Sequence, residues 1–102
     1  MSTADPDHTR SALDRAVVVL RAMAYEHRMH ILVLLREGDR TPAFLAEAIS
    51  TESTIIARHL RHLRDARLVR RERRGRQITY TLHGEATRRL IAEVVNHAEH
   101  PT

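Results

Sequence analysis

The side chains best equipped for chemistry in this sequence are histidine and arginine. Eight histidines include three pairs spaced i, i+3: His27/His30, His59/His62 and His97/His100. On a helix that spacing sets two imidazoles on one face, within reach of a shared metal. Eight histidines in so short a chain also produce such pairs by chance, so the neighbours decide. His59 and His62 lie among Arg58, Arg61 and Arg64, which repel a cation; they are expected to pack or to touch nucleic acid. His27 and His30 stand at the start of a helix and are expected at the surface or as caps. The order Glu26-His27-Arg28-Met29-His30 is not the zinc-protease motif, because the glutamate lies outside the pair. The last pair is different. At ~100° per residue, Glu93, His97 and His100 fall within a helical strip about 60° wide. That strip borders the apolar positions Leu90, Ile91, Val94, Val95 and Ala98. The spacing predicts a divalent-metal site on Glu93, His97 and His100, against the plainer reading of a solvated helix end where histidine suits the dipole.

Arginine supplies every one of the 17 basic side chains. Residues 58–76 hold nine of them against only Asp65 and Glu72, a local net charge of +7 on a chain whose total is +4. A concentrated basic block on a mildly acidic body is the electrostatic pattern of a nucleic-acid binder. One Phe, two Tyr and no Trp leave little for base stacking, which favours a duplex over single strands. The absence of Cys removes disulfides, thiolate metal sites, iron–sulfur clusters and Cys nucleophiles. The first ten residues, MSTADPDHTR, are acidic and polar, unlike a signal peptide, and no apolar run approaches the ~20 residues of a membrane span. The expected location is the cytoplasm. No phosphate loop, nucleophile motif or catalytic carboxylate pair argues for an enzyme.

These side chains need elements to position them. Residues 1–10 read as a flexible arm, and residues 11–100 as one domain. Ser11 is a fair N-cap for a first helix with Leu13, Ala16, Val17 and Leu20 at helical spacing. A second helix runs from about Glu26 to Glu37, with Met29, Ile31, Leu32 and Leu35 inward and Gly38 as its stop. Thr41-Pro42 opens a short third helix carrying Phe44, Leu45, Ala48 and Ile49. After a turn at Ser50-Thr51, a fourth helix reaches about Ala66 with Ile56, Leu60 and Leu63 as its apolar stripe. Two strands follow, around a tip at Arg74-Gly75, with Ile78, Tyr80 and Leu82 alternating. Residues 84–98 return to helical period. The order is α-α-α-α-β-β-α, a mainly α domain with a β-hairpin.

Short helix, tight turn and longer helix make a helix-turn-helix, and the basic hairpin makes a wing. The segments AYEHRMHILVLL (24–35), LAEAI (45–49), TIIARHLRHLRDARLV (54–69) and GRQITYTL (75–82) occur in order at the right spacing. In this the chain resembles the ArsR/SmtB family of bacterial winged-helix regulators over roughly residues 12–100. The sequence departs from the family pattern at Ser50, where the turn usually has Gly, and at Ala57, where the fourth helix usually has Ser. The fourth helix turns Ser53, Thr54, Ala57, Arg58 and Arg61 away from its apolar stripe, where arginine can read guanine and hydroxyls can reach bases or phosphates. The bland reading is a solvated face. The hairpin residues Arg73, Arg74 and Arg76 suit phosphate or minor-groove contact, against a bland role in blunting an exposed edge strand.

The resemblance implies a homodimer joined through the first and last helices and bound to double-stranded operator DNA. In the zinc-, cobalt- and nickel-responsive branch, the last helix pairs two ligands near its start with two His near its end. His97 and His100 match the end pair. The start pair falls on Gly84 and Ala86, which cannot ligate. Replacements are expected from Glu93, from His83 or Glu85, or from Asp5, Asp7 and His8. Imidazole with carboxylate suits nickel first, with zinc or cobalt as alternatives. The second reading is the same fold without a metal, governed by a protein partner or another ligand. A protein-binding use of the winged helix, with little DNA affinity, is the rival from a different class.

Overall fold

The computed structural model describes residues 6–100. Helix α1 spans Pro6–Met23, α2 Glu26–Glu37, α3 Pro42–Ile49 and α4 Ser53–Asp65. Strands β1 (Val69–Arg74) and β2 (Gln77–Leu82) follow, and α5 spans Glu85–Glu99. The order is the one expected. The first boundary is not. Helix α1 begins at Pro6, so Ser11 lies inside it and accepts a hydrogen bond from Arg15 Nη1 at 2.6 Å instead of capping. Proline, with its φ fixed near the helical value, suits a first turn, and Asp7 there complements the helix dipole. Of the arm expected over residues 1–10, the first five lie outside the described residues.

The helix-turn-helix is built by local chemistry. Thr41 caps α3, its Oγ1 accepting from the Phe44 amide at 3.1 Å, and Pro42 occupies the first turn. At the other end Ser50 adopts the left-handed conformation, φ 61° and ψ 49°. The amides of Ser50 and Thr51 donate to the carbonyls of Glu47 and Ala46, closing the helix in the Schellman pattern. Helix α4 ends the same way, with Arg67 at φ 60° and the Leu68 amide donating to the Leu63 carbonyl. Two such stops aim α4 and then release the chain into β1.

The core lies where α2, α3 and α4 meet the base of the hairpin and α5. Ile31, Leu32, Leu35, Leu45, Ile56, Leu60, Leu63, Leu82 and Ile91 have essentially no exposed surface. Met29, expected inside, is only half-buried, and Phe44 is exposed on α3.

Strands β1 and β2 pair antiparallel, Val69 opposite Leu82 through Arg74 opposite Gln77. The tip is therefore Gly75-Arg76, one residue later than expected. Gly75 alone of these two has positive φ, 64°, which a side chain rarely tolerates. Simple alternation along β2 fails as well. Ile78 is exposed while Thr79, Tyr80, Thr81 and Leu82 are all buried. Arg40, in the link after α2, exchanges backbone hydrogen bonds with Tyr80 at 3.1 and 2.8 Å, covering the free edge of β2. Helices α2, α3 and α5 pack on the same base. The half of the hairpin toward the tip protrudes with Ile78 and the arginines.

Candidate nucleic-acid interface

Helix α4 buries Ile56, Leu60 and Leu63 and turns Ser53, Thr54, Ala57, Arg58 and Arg61 to solvent. Thr54, Ala57, Arg58 and Arg61 then line a cleft of about 440 Å³ together with Arg64, Arg71 and Tyr80. The cleft joins the exposed face of α4 to the wing. Ser53, at the start of α4, lies outside its lining. Among the described residues, Arg58, Arg61, Arg64 and Arg71 form no ion pair with a carboxylate. Their charge is left unneutralised by the protein, in a concavity that concentrates its field.

The wing arginines are placed differently. Arg73 donates through Nε to the Gly75 carbonyl at 3.2 Å and braces the turn. Arg74 is held 3.5 Å from Asp39 and 3.6 Å from Glu72. Glu72 also accepts from Arg70 at 3.3 Å. Arg76 forms no ion pair among the described residues. Of the three wing arginines expected to contact DNA, only Arg76 is therefore uncommitted. Residue-by-residue reading missed Arg64, Arg71 and Tyr80 as members of the cleft. Arg64 lies three residues after Arg61, on the same face, and could have been found by helical spacing. Arg71 and Tyr80 face each other across the hairpin, and only the register brings them to α4.

The histidines divide clearly. His30 and His62 are exposed, while His27 and His59 are half-buried with ring centroids 5.6 Å apart, edge to face. His59 packs against α2. Burial first, and then the charges of Arg28, His27, His62 and Arg58, hold its pKa below the ordinary imidazole value. Helix α2 is preceded by Tyr25 with no side-chain cap, so His27 and His30 do not cap it.

At the other end, α5 stops at Glu99. His100 is the C-cap, with φ −126° and ψ 59° and its amide still donating to the Asn96 carbonyl, so the strip expected to carry Glu93, His97 and His100 reaches its last member at the very end of the helix. Among the described residues of one chain, no three His, Asp or Glu side chains gather closely enough to hold a metal. His83 and Glu85 do not complete such a group, nor do Asp7 and His8, and Asp5 lies outside the described residues. No helix among the described residues is long and apolar enough to cross a membrane.

Comparison with known proteins settles what kind of molecule carries this interface. Residues 19–95 match the family model for the N-terminal domain of the methanogenesis regulatory protein FilR1. The HTH-type transcriptional regulator NmtR of Mycobacterium tuberculosis is 40% identical over 81 residues, 79% of this chain and 68% of that protein. The HTH-type transcriptional repressor SmtB of the same species is 34% identical over 89 residues, 87% of this chain and 66% of that protein. The homodimeric winged helix-turn-helix DNA-binding domain of Mb0332 from Mycobacterium bovis, a possible ArsR-family regulator, superposes with a TM-score of 0.88. It is 31% identical and covers 96% of this chain and 91% of that domain. The chain belongs to the ArsR/SmtB family. It spans about two thirds of the length of the curated relatives named above. In this ArsR/SmtB protein, α3 and α4 are the helix-turn-helix and β1–β2 the wing.

Proposed function

We propose that the chain is a transcriptional regulator that binds double-stranded operator DNA as a homodimer. Helix α4 reads base edges with Thr54, Arg58 and Arg61, Ser53 and Ala57 lie against the groove, and the wing sets Arg73, Arg74 and Arg76 on phosphates. One observation carries this reading. The unpaired arginines of the cleft surround the exposed face of the helix that follows the helix-turn-helix turn. Helices α1 and α5 form the dimer seam in this reading, which explains why Leu13, Val18, Leu20 and Val94 are exposed in a single chain.

A divalent metal acts as effector in the same proposal, nickel first and zinc or cobalt as alternatives. His97, His100 and Glu93 are its ligands, and their chemistry fits an imidazole–carboxylate site. Among the described residues one chain does not gather three converging ligands, so in this reading the second copy supplies the remainder. Bound metal supplies a cross-link between subunits. The same observation favours a second reading, a metal-independent regulator controlled by a protein partner or another ligand.

The deciding experiment selects a duplex from a random pool and measures its affinity across salt concentrations, with and without nickel or zinc. Tight binding to an inverted repeat, with a steep salt slope, is expected. Equal, weak affinity for every duplex overturns the operator reading. A metal titration that leaves affinity unchanged leaves the metal-independent reading in its place.

A further inference from the structure

Arg28 sits where three elements meet. Its Nη1 donates to the Ala22 carbonyl near the end of α1 at 3.4 Å. Its guanidinium lies over the Tyr25 ring, 4.3 Å from the centroid. Its Nε donates to Nδ1 of His59, on α4, at 3.3 Å. Arginine has donors only, so His59 accepts through Nδ1 and, in this arrangement, is neutral with its proton on Nε2. The His27 ring meets the same imidazole edge to face.

We infer that Arg28 is a positioning residue that ties the DNA-reading helix α4 to the end of α1 through a neutral His59, so that acid releases the tie. The inference rests on the DNA-binding reading above. Its logic is geometric. Helix α1 belongs to the proposed dimer seam and α4 to the DNA surface. Among the described residues Arg28 bonds to both, so it fixes the angle at which α4 leaves the seam. Arg58 and Arg61 stand on the same helix as His59, and their aim depends on that angle.

Burial and the nearby cations together lower the pKa of His59. Arg28 and His27 face it from α2, and His62 and Arg58 act from α4 itself. Tyr25 and Glu26 line the hollow where His27 and His59 meet, and Glu26 forms no ion pair with His59 among the described residues. Arg21 and Asp65 line the neighbouring hollow with Arg28 and His62. The folded chain therefore binds the His59 proton more weakly than the unfolded chain does. The stabilisation from the tie is complete above the ordinary histidine value near ~6.5 and is lost as pH falls below it toward the lower folded value. Once protonated, His59 cannot accept from Arg28, and two cations face each other.

Charge alone predicts the opposite effect. Protonating histidines adds positive charge and strengthens sequence-independent binding. Selectivity and bulk affinity should thus separate in acid. Two measurements test this. Nitrogen-15 NMR of the wild-type imidazoles, without DNA, should find His59 as the Nε2–H tautomer titrating below ~6.5, and Arg28→Met should raise that midpoint. A midpoint at or above the free value, or one that Arg28→Met does not move, overturns the tie.

The second measurement compares the selected duplex with an unrelated one. The wild-type affinity ratio should fall about fivefold between about pH 7.5 and about pH 5.5, a coupling of ordinary size. In His59→Asn the amide oxygen stands at the Nδ1 position and accepts at either pH, and the ratio should change by less than about twofold. Equal losses in both proteins overturn the coupling. Binding to no duplex at either pH overturns the DNA-binding reading, and the proposal with it, even where the NMR titration behaves as expected.

Discussion

Ser50 holds a conformation that its side chain disfavours. A non-glycine residue in the left-handed region costs about 1 kcal/mol or more, because Cβ crowds the following carbonyl. Ser50 is held there by the Schellman hydrogen bonds that end α3, and the turn angle depends on it. Ser50→Gly should therefore stabilise the fold by about 0.5–1 kcal/mol, glycine's extra freedom in the unfolded chain offsetting part of the gain. Urea denaturation at neutral pH reads this directly, and a loss of stability would contradict the left-handed assignment. Thr41→Ala acts at the other end of α3. It removes the acceptor for the Phe44 amide and should cost about 1 kcal/mol by the same assay. Both positions were legible from sequence, Thr41-Pro42 as a cap with proline and Ser50 as a departure from glycine. The role of Arg28 was not, because it depends on His59, thirty-one residues away on another helix.

Among the elements, α4 has one buried face and one exposed face that the proposal assigns to recognition. Leu60→Ala removes a fully buried side chain and should cost about 2–5 kcal/mol of stability. Arg58 and Arg61 are exposed and form no ion pair among the described residues. Arg58→Ala and Arg61→Ala should each leave the denaturation midpoint in place while costing about 1–3 kcal/mol of preference for the selected duplex. If both leave that preference untouched, α4 does not read bases. In the wing, Arg76→Ala should reduce the salt slope by about one counterion. Arg74→Ala should reduce it less, because Asp39 and Glu72 already neutralise that side chain in the free protein. Salt titrations of both variants on one duplex give the comparison. The apolar stripe of α4 was readable because helical period and burial agree at Ile56, Leu60 and Leu63. Period failed in β2, where the Arg40 bridge and three packing helices cover the base of the hairpin. The arm expected over residues 1–10 hid the start of α1, because Pro6 opens a first helical turn there.

At the scale of the whole molecule, the single chain leaves apolar surface uncovered. Its radius of gyration is 15.4 Å, against about 13 Å for a compact domain of this length. Leu13, Val18 and Leu20 of α1 are more than half exposed. A second copy packed on α1 and α5 would cover them and set two α4 helices about one DNA turn apart, roughly 34–36 Å, as an inverted repeat demands. Sedimentation equilibrium at micromolar concentration should find a dimer, and Leu20→Glu should shift it toward monomer and weaken operator binding together. The metal proposal depends on this assembly. Two histidines at the end of α5 leave most of a nickel or zinc coordination sphere open, and Gly84 and Ala86 offer no side-chain donor. Among the described residues, Glu93 and the second subunit are the sources this proposal relies on. A site shared in this way binds tightly only in the dimer, and it changes DNA affinity only as far as it prefers one arrangement of the subunits. Calorimetry with nickel and with zinc should show binding to the wild type and its loss in the His97→Ala/His100→Ala double variant. Leu20→Glu, which keeps every proposed ligand, should weaken the same isotherms by opening the seam. Loss in the first variant and not in the second would place the metal within one chain, and identical isotherms in all three proteins would remove it from α5 altogether.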